Sequence, residues 1–383
     1  VKQLKSVAIN LAIALVTTLI AVLLLEVLRP NTIRQAQALL GMPLPIRFYA
    51  GMGDSFTYQG QITAPPPNPY EIISEYIPLY DADGFRAPQK PAERYQVIAL
   101  GDSFTEAYTV AIPWTDVLAN ETGLSVRNLG VRGYGMIEEA LIMKTYANDQ
   151  SMDYVVVAFF EGNDVSNAES YYWTDFKPPL EVTGQETVRD NTFWQFVHTP
   201  QPRYKYPLNL TLNGKTTPMT FLEGFLWGLN VELADIAQSW QLEQIALAWR
   251  DIKEVAGEAC VVMAYIPSKE HIYVTLLTLE ERAPIFDTPF RQFLRDNGRL
   301  GSEPDPTTTY ETLAPRLKNV NVAVVERAEQ EGLAVLDLTP IFTQAAQEGA
   351  LLYHVYDTHA NQAGNDLIGK AVGEALLGGI CTQ

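Results

Sequence analysis

The chain of 383 residues is 47% hydrophobic and 19% charged, which provides core material for one large domain with embellishments or two modest ones and excludes wholesale disorder. A formal net charge of -18 with no Lys/Arg cluster sets long-range repulsion against phosphates, so nucleic acid is excluded as a partner. Two cysteines exclude a disulfide framework, no Cys/His spacing suits a metal, and no cofactor is implied.

Ser6 to Leu25 is a run of twenty residues without a charge. At ~1.5 Å per residue it spans roughly the ~30 Å hydrocarbon core of a bilayer, and it predicts a transmembrane anchor over residues 1–30. The signal-peptide alternative has only a distant cleavage site, Gln35-Ala36-Gln37-Ala38. The run shows no polar face, which argues against a buried helix of a soluble fold. Lys2 and Lys5 before the run and Arg29 and Arg34 after it lean only slightly toward a cytoplasmic N-terminus, with the rest of the chain extracytoplasmic. The chain opens on Val1 rather than Met, which leaves room for a start residue or short leader ahead of it.

Residues 31–94 read as stalk and lead-in, with turn formers peaking at Ala64-Pro65-Pro66-Pro67-Asn68-Pro69, a stretch that suits neither helix nor central strand. From Tyr95 onward, apolar runs alternate with amphipathic stretches, the pattern of a parallel sheet with crossover helices. Strands are predicted over residues 95–100, 125–128, 154–160, 259–266 and 334–338. Helices are predicted near residues 114–121, 136–147, 241–256, 310–330 and 361–377. The expected fold is a three-layer α/β/α flavodoxin-like domain over residues 95–383, with its site at the C-terminal edge of the sheet. Cys260 falls in the fourth predicted strand and reads as a core residue, pairing with Cys381 being the alternative. Between residues 167 and 233 the rhythm breaks into an aromatic- and proline-rich insertion with a hairpin around Leu212-Asn213-Gly214-Lys215. It is either a decorated loop packed on the sheet edge or a lid over a substrate cleft.

Four short blocks close predicted strands or precede helices. They are Gly101-Asp102-Ser103-Phe104, the glycine-rich run from Asn128 to Gly135, Gly162-Asn163-Asp164, and Asp357-Thr358-His359. Each alone is an ordinary turn sequence, but four in this order rarely coincide. As a set they resemble the SGNH/GDSL hydrolase family, from about Tyr95 to Leu377. The resemblance implies Ser103 as nucleophile, His359 as its base and Asp357 as the acid that orients the imidazole. It further implies an oxyanion site built from the Ser103 and Gly133 N–H groups and the Asn163 amide.

Two departures from the family pattern stand out, the spacing of Asp357 and His359 and the presence of Arg132 in the second-block loop just before Gly133. Asp357 and His359 are two apart rather than three, as in the subgroup that resembles alginate-type O-acetyltransferases. Lys269 and Glu270, in Ile266-Pro267-Ser268-Lys269-Glu270, look like those of membrane-anchored relatives. Arg132 and Lys269 are the weaker candidates, for substrate binding; Arg132 otherwise reads as a solvated cation. Asp102 and Asp164 adjoin the blocks and read as structural, tying turns through their own backbone.

The expected activity is hydrolysis of an ester, with an O-acetylated envelope carbohydrate as the candidate substrate. Acyl transfer to a polysaccharide hydroxyl is one alternative. The other is a non-catalytic accessory subunit of a membrane complex, with other membrane-protein subunits as partners.

Overall fold

Uninterrupted apolar runs form strands whose two faces are both covered. In the computed structural model, β1 (Val97–Leu100) is buried throughout, and β3 (Tyr154–Phe160) and β6 (Cys260–Ile266) are buried except at their first residues. The structure describes residues 81, 83–147, 151–173, 207–287, 289, 307–355 and 357–382. The expected transmembrane helix and most of the stalk lie outside these residues. Among the described residues no helix is long and apolar enough to cross a membrane.

β2 (Val126–Asn128) and β7 (Ala334–Asp337) complete a parallel sheet of five strands in the order β2-β1-β3-β6-β7. The first crossover runs from β1 out to β2, and the next returns to β3 on the other side of β1. The C-terminal ends of β1 and β3 therefore flank a topological switch point, the place where open α/β sheets hold their ligands. Helices along the chain include α1 (Ser103–Glu106), α2 (Trp114–Thr122), α3 (Met136–Tyr146), α4 (Asp164–Trp173), α5 (Trp240–Ala256), α6 (Lys269–Val274), α7 (Asn319–Gln330), α8 (Thr339–Gln347) and α9 (Gln362–Leu377). α2 packs with α9, while α3, α4 and α5 pack on one another and α5 reaches α7. The helices flank the sheet in an α/β/α arrangement, as expected from the alternating pattern.

Two expectations need correction. The predicted helix over residues 310–330 breaks into Tyr310–Leu313, a 3-10 turn at Ala314–Arg316, and α7. Pro315 supplies no N–H to an α-helical ladder and its ring crowds the preceding turn. Cys260 is disulfide-bonded to Cys381, with their Cα atoms 5.9 Å apart, rather than a free core residue. The bond ties the first residue of β6 to the C-terminal 3-10 turn Ile380–Thr382.

The expected hairpin is present as β4 (Pro207–Leu212) and β5 (Lys215–Thr220), with Asn213 and Gly214 both at positive φ, 49° and 73°. Leu208, Leu210 and Met219 are buried in the main core, so this part of the insertion is docked on the domain. Residues 174–206, which include most of the aromatic and proline-rich stretch, lie outside the described residues. Ahead of β1, Phe85 and Arg86 are both buried. The Arg86 guanidinium donates to the carbonyls of Glu106 (3.2 Å), Val110 (2.9 Å), Ala111 (2.9 Å) and Ala107, and so secures the turn that leaves α1.

Candidate active site

Ser103 is the first residue of α1, directly after β1, and Asp102 caps that helix by accepting the Phe104 N–H at 2.8 Å. The serine is thus presented at the sheet's C-terminal edge, 9% exposed. His359 arrives from the opposite end of the sequence, in the turn before α9, and its Nε2 lies 2.8 Å from Ser103 Oγ. Asp357 Oδ1 meets His359 Nδ1 and also accepts the His359 N–H at 2.8 Å, so the two-residue spacing fixes both main chain and ring. Phe104 and Tyr108 flank the imidazole, with ring centroids 5.3 and 5.2 Å away.

Electrostatics distinguish the acids. Burial opposes ionisation of Asp357, but the charge of His359, two hydrogen bonds from it and the nearby His354 hold the carboxyl well below the usual carboxylate range. Asp102 behaves oppositely, pushed up by burial against the bonds from Phe104, Asn163 and Ser103. Asp164 is pushed up by burial and by Asp102, while its bond from the Phe160 N–H (2.7 Å) acts downward. Asp357 is therefore the ionised partner of the imidazole, and Asp102 and Asp164 tie backbone turns. For His359, burial disfavours the cation, yet the charge and hydrogen bond of Asp357, helped by Asp102, raise its pKa above the ordinary value, with Arg132 acting against them.

The second block lies against α1. Asn128 Oδ1 accepts the Gly130 N–H at 2.9 Å, and its Nδ2 donates to the Thr105 carbonyl at 2.6 Å. A Cβ on Gly130 would sit 2.4 Å from Glu106 N, so only glycine allows this approach. Gly133 has φ +77° with open space where a Cβ would project, so its glycine is required by backbone conformation rather than by crowding. The Gly133 and Ser103 N–H groups have no acceptor among the described residues. Asn163 Nδ2 donates to Asp102 Oδ2 at 2.9 Å, which leaves its second N–H for another acceptor.

The two weaker candidates differ in placement. Arg132 is paired with Glu106, its Nε 3.0 and 2.9 Å from the carboxylate oxygens and its Nη2 also bonded to Glu106, while 31% of its side chain stays exposed. Its guanidinium packs 4.2 Å from the centroid of the Tyr108 ring. Lys269, expected near a substrate, is fully buried, and its ammonium faces main-chain carbonyls instead.

Sequence reasoning passed over Glu106, which also accepts the Arg132 N–H at 2.9 Å and so latches the second block to α1. An acid three residues after the serine, with an arginine in the next block, was the available signal. It also passed over Glu161, a carboxylate buried at the end of an apolar strand.

A model described as the GDSL-like Lipase/Acylhydrolase family matches residues 99–367. The chain belongs to this family. Together with the buried Ser103–His359 hydrogen bond, this makes it a serine hydrolase of GDSL/SGNH type. No curated protein matches the chain. Among solved structures, a protein from Lactobacillus plantarum is 15% identical with a TM-score of 0.35, over 76% of this chain and 99% of its own. An acetylxylan esterase from Geobacillus stearothermophilus is 11% identical with a TM-score of 0.36, over 73% and 92%. A carbohydrate esterase family 2 enzyme with a carbohydrate binding domain, from Corynascus thermopiles, is 13% identical with a TM-score of 0.37, over 78% and 70%. Likeness this distant carries no argument about substrate.

Proposed function

We propose that Ser103, His359 and Asp357 hydrolyse an ester through an acyl-serine. Ser103 Oγ attacks the carbonyl carbon while its proton passes to His359 Nε2, and Asp357 stabilises the resulting imidazolium. The carbonyl oxygen, now an anion, takes donors from the Ser103 and Gly133 N–H groups and the second N–H of Asn163, each worth on the order of 3 kcal/mol. Collapse breaks the ester C–O bond, and the imidazolium returns its proton to the departing alcohol. Water then attacks the acyl-serine, gives its proton to His359, and the acid leaves as Ser103 recovers its hydrogen. The observation that carries this reading is the unbroken contact from Asp357 through His359 to Ser103.

The substrate proposed is an O-acetylated carbohydrate outside the cytoplasm. The Cys260–Cys381 disulfide supports an oxidising compartment, where such an acetylated carbohydrate would be met. The test is incubation of the purified chain with an acetylated oligosaccharide, following free acetate. Acetate release by wild type and none by Ser103→Ala is expected. Transfer of acetyl to an added unacetylated oligosaccharide, without net acetate, would replace hydrolysis by acyl transfer to a sugar hydroxyl. No acetyl chemistry with folded wild type would reject the acetyl-carbohydrate reading.

A further inference from the structure

Residues 267–271, where β6 passes into α6, touch no reacting atom, yet they join the third and fourth blocks of the site. Glu161, directly before the Gly162-Asn163 block, is buried and accepts four bonds at one end of this segment. The donors are Ser268 N–H and Ser268 Oγ at 2.8 Å each, Tyr265 O–H at 2.7 Å, and His271 Nδ1 at 2.8 Å. The Pro267 carbonyl accepts the Tyr353 hydroxyl at 2.6 Å, and Glu270 Oε1 accepts the Leu222 N–H at 2.6 Å. At the centre is Lys269, 0% exposed, whose Nζ donates to the carbonyls of His354 (2.8 Å), Val355 (2.7 Å) and Asp357 (3.2 Å).

An ammonium group has three hydrogens, and here three carbonyls of one loop converge on it. Carbonyl oxygens pointing at a common centre repel one another, so this loop conformation depends on the cation. Burying a charge is a poor route to stability, since an apolar side chain of similar volume does as well or better. What the ammonium provides is a defined main-chain path for the loop, including the carbonyl of Asp357 itself. From that residue the contacts continue to the His359 ring and on to Ser103 Oγ.

We propose that Lys269 is a positioning residue: its buried ammonium sets the main chain of the loop bearing Asp357 and His359, and through it the reach of the imidazole to Ser103. The assignment rests on the acyl-serine reading above. Loss of the clamp lets the base drift from its nucleophile, and a displacement near 1 Å at a reacting group costs about a hundredfold in rate.

The experiment measures kcat and KM for p-nitrophenyl acetate, and the rate of inactivation by a fluorophosphonate, in wild type, Lys269→Met, Lys269→Gln and Ser103→Ala. In Lys269→Met, kcat is expected to fall by about 10- to 100-fold with KM within about twofold, and inactivation to slow in parallel, because only the alignment of base and nucleophile is disturbed. Lys269→Gln, neutral but able to donate two bonds, should fall between that variant and wild type. It decides the matter if Lys269→Met does not fold. Wild-type kcat in a folded Lys269→Met, or in Lys269→Gln if that alone folds, overturns the assignment. So does a loss expressed in KM alone. Turnover retained by Ser103→Ala would instead reject the acyl-serine reading. A dead Ser103→Ala beside a fully active Lys269 variant rejects only the role given to Lys269.

Discussion

His359 has to be neutral to accept the Ser103 proton, yet Asp357 favours its protonated form. Since the net effect raises its pKa above the ordinary 6.5, the acidic limb of the kcat/KM profile should lie above pH 6.5. Asp357→Asn removes the main influences favouring the cation and leaves only Asp102 against burial and Arg132. The limb should therefore move to lower pH while kcat falls on the order of 10³–10⁴-fold. A pH–rate series on both proteins checks this, and an unmoved limb would mean that Asp357 does not govern the imidazole.

At the scale of elements, the site depends on how closely the second-block loop lies on α1. Gly130→Ala would place a methyl 2.4 Å from Glu106 N, against backbone that cannot turn aside. The loop must lift, taking Gly133 with it. The expected cost is about 1–3 kcal/mol of stability and a loss of kcat, measured by urea unfolding and ester turnover. A variant with wild-type stability and rate would show that this contact is not tight.

The same scale shows what the sequence disclosed. The five strands and the Asn213-Gly214 hairpin were legible because apolar runs and paired positive-φ residues leave direct marks. The four blocks were legible because three of them had to follow strand ends and the fourth had to precede a helix. α6, six residues long, was not, being too brief to show a helical period, and α8 was passed over although it is as long as α2. Pro315 was visible, but the apolar spacing on either side of it read as one helix. The clamps made by Lys269 and Arg86 left no pattern, since a cation buried against main-chain carbonyls needs no complementary side chain.

Across the whole molecule, the disulfide links positions 121 residues apart, from the start of β6 to the C-terminal turn. The site lies at the other end of the strands. Breaking the bond frees a long loop in the unfolded chain, which predicts a loss of about 2–5 kcal/mol in Cys260→Ser. The fall should appear in the urea midpoint and disappear when wild type is compared under reducing conditions, with kcat at 25 °C unchanged. A shared midpoint in oxidising buffer would contradict the link.

The central claim is that one hydroxyl, Ser103 Oγ, is activated by an imidazole delivered from residue 359. Labelling with a fluorophosphonate, followed by mass spectrometry of the modified peptide, tests it most directly. A single adduct on Ser103 is expected in the folded wild type, greatly slowed in His359→Ala and absent in Ser103→Ala. An adduct on another residue, or undiminished labelling of His359→Ala, would contradict it.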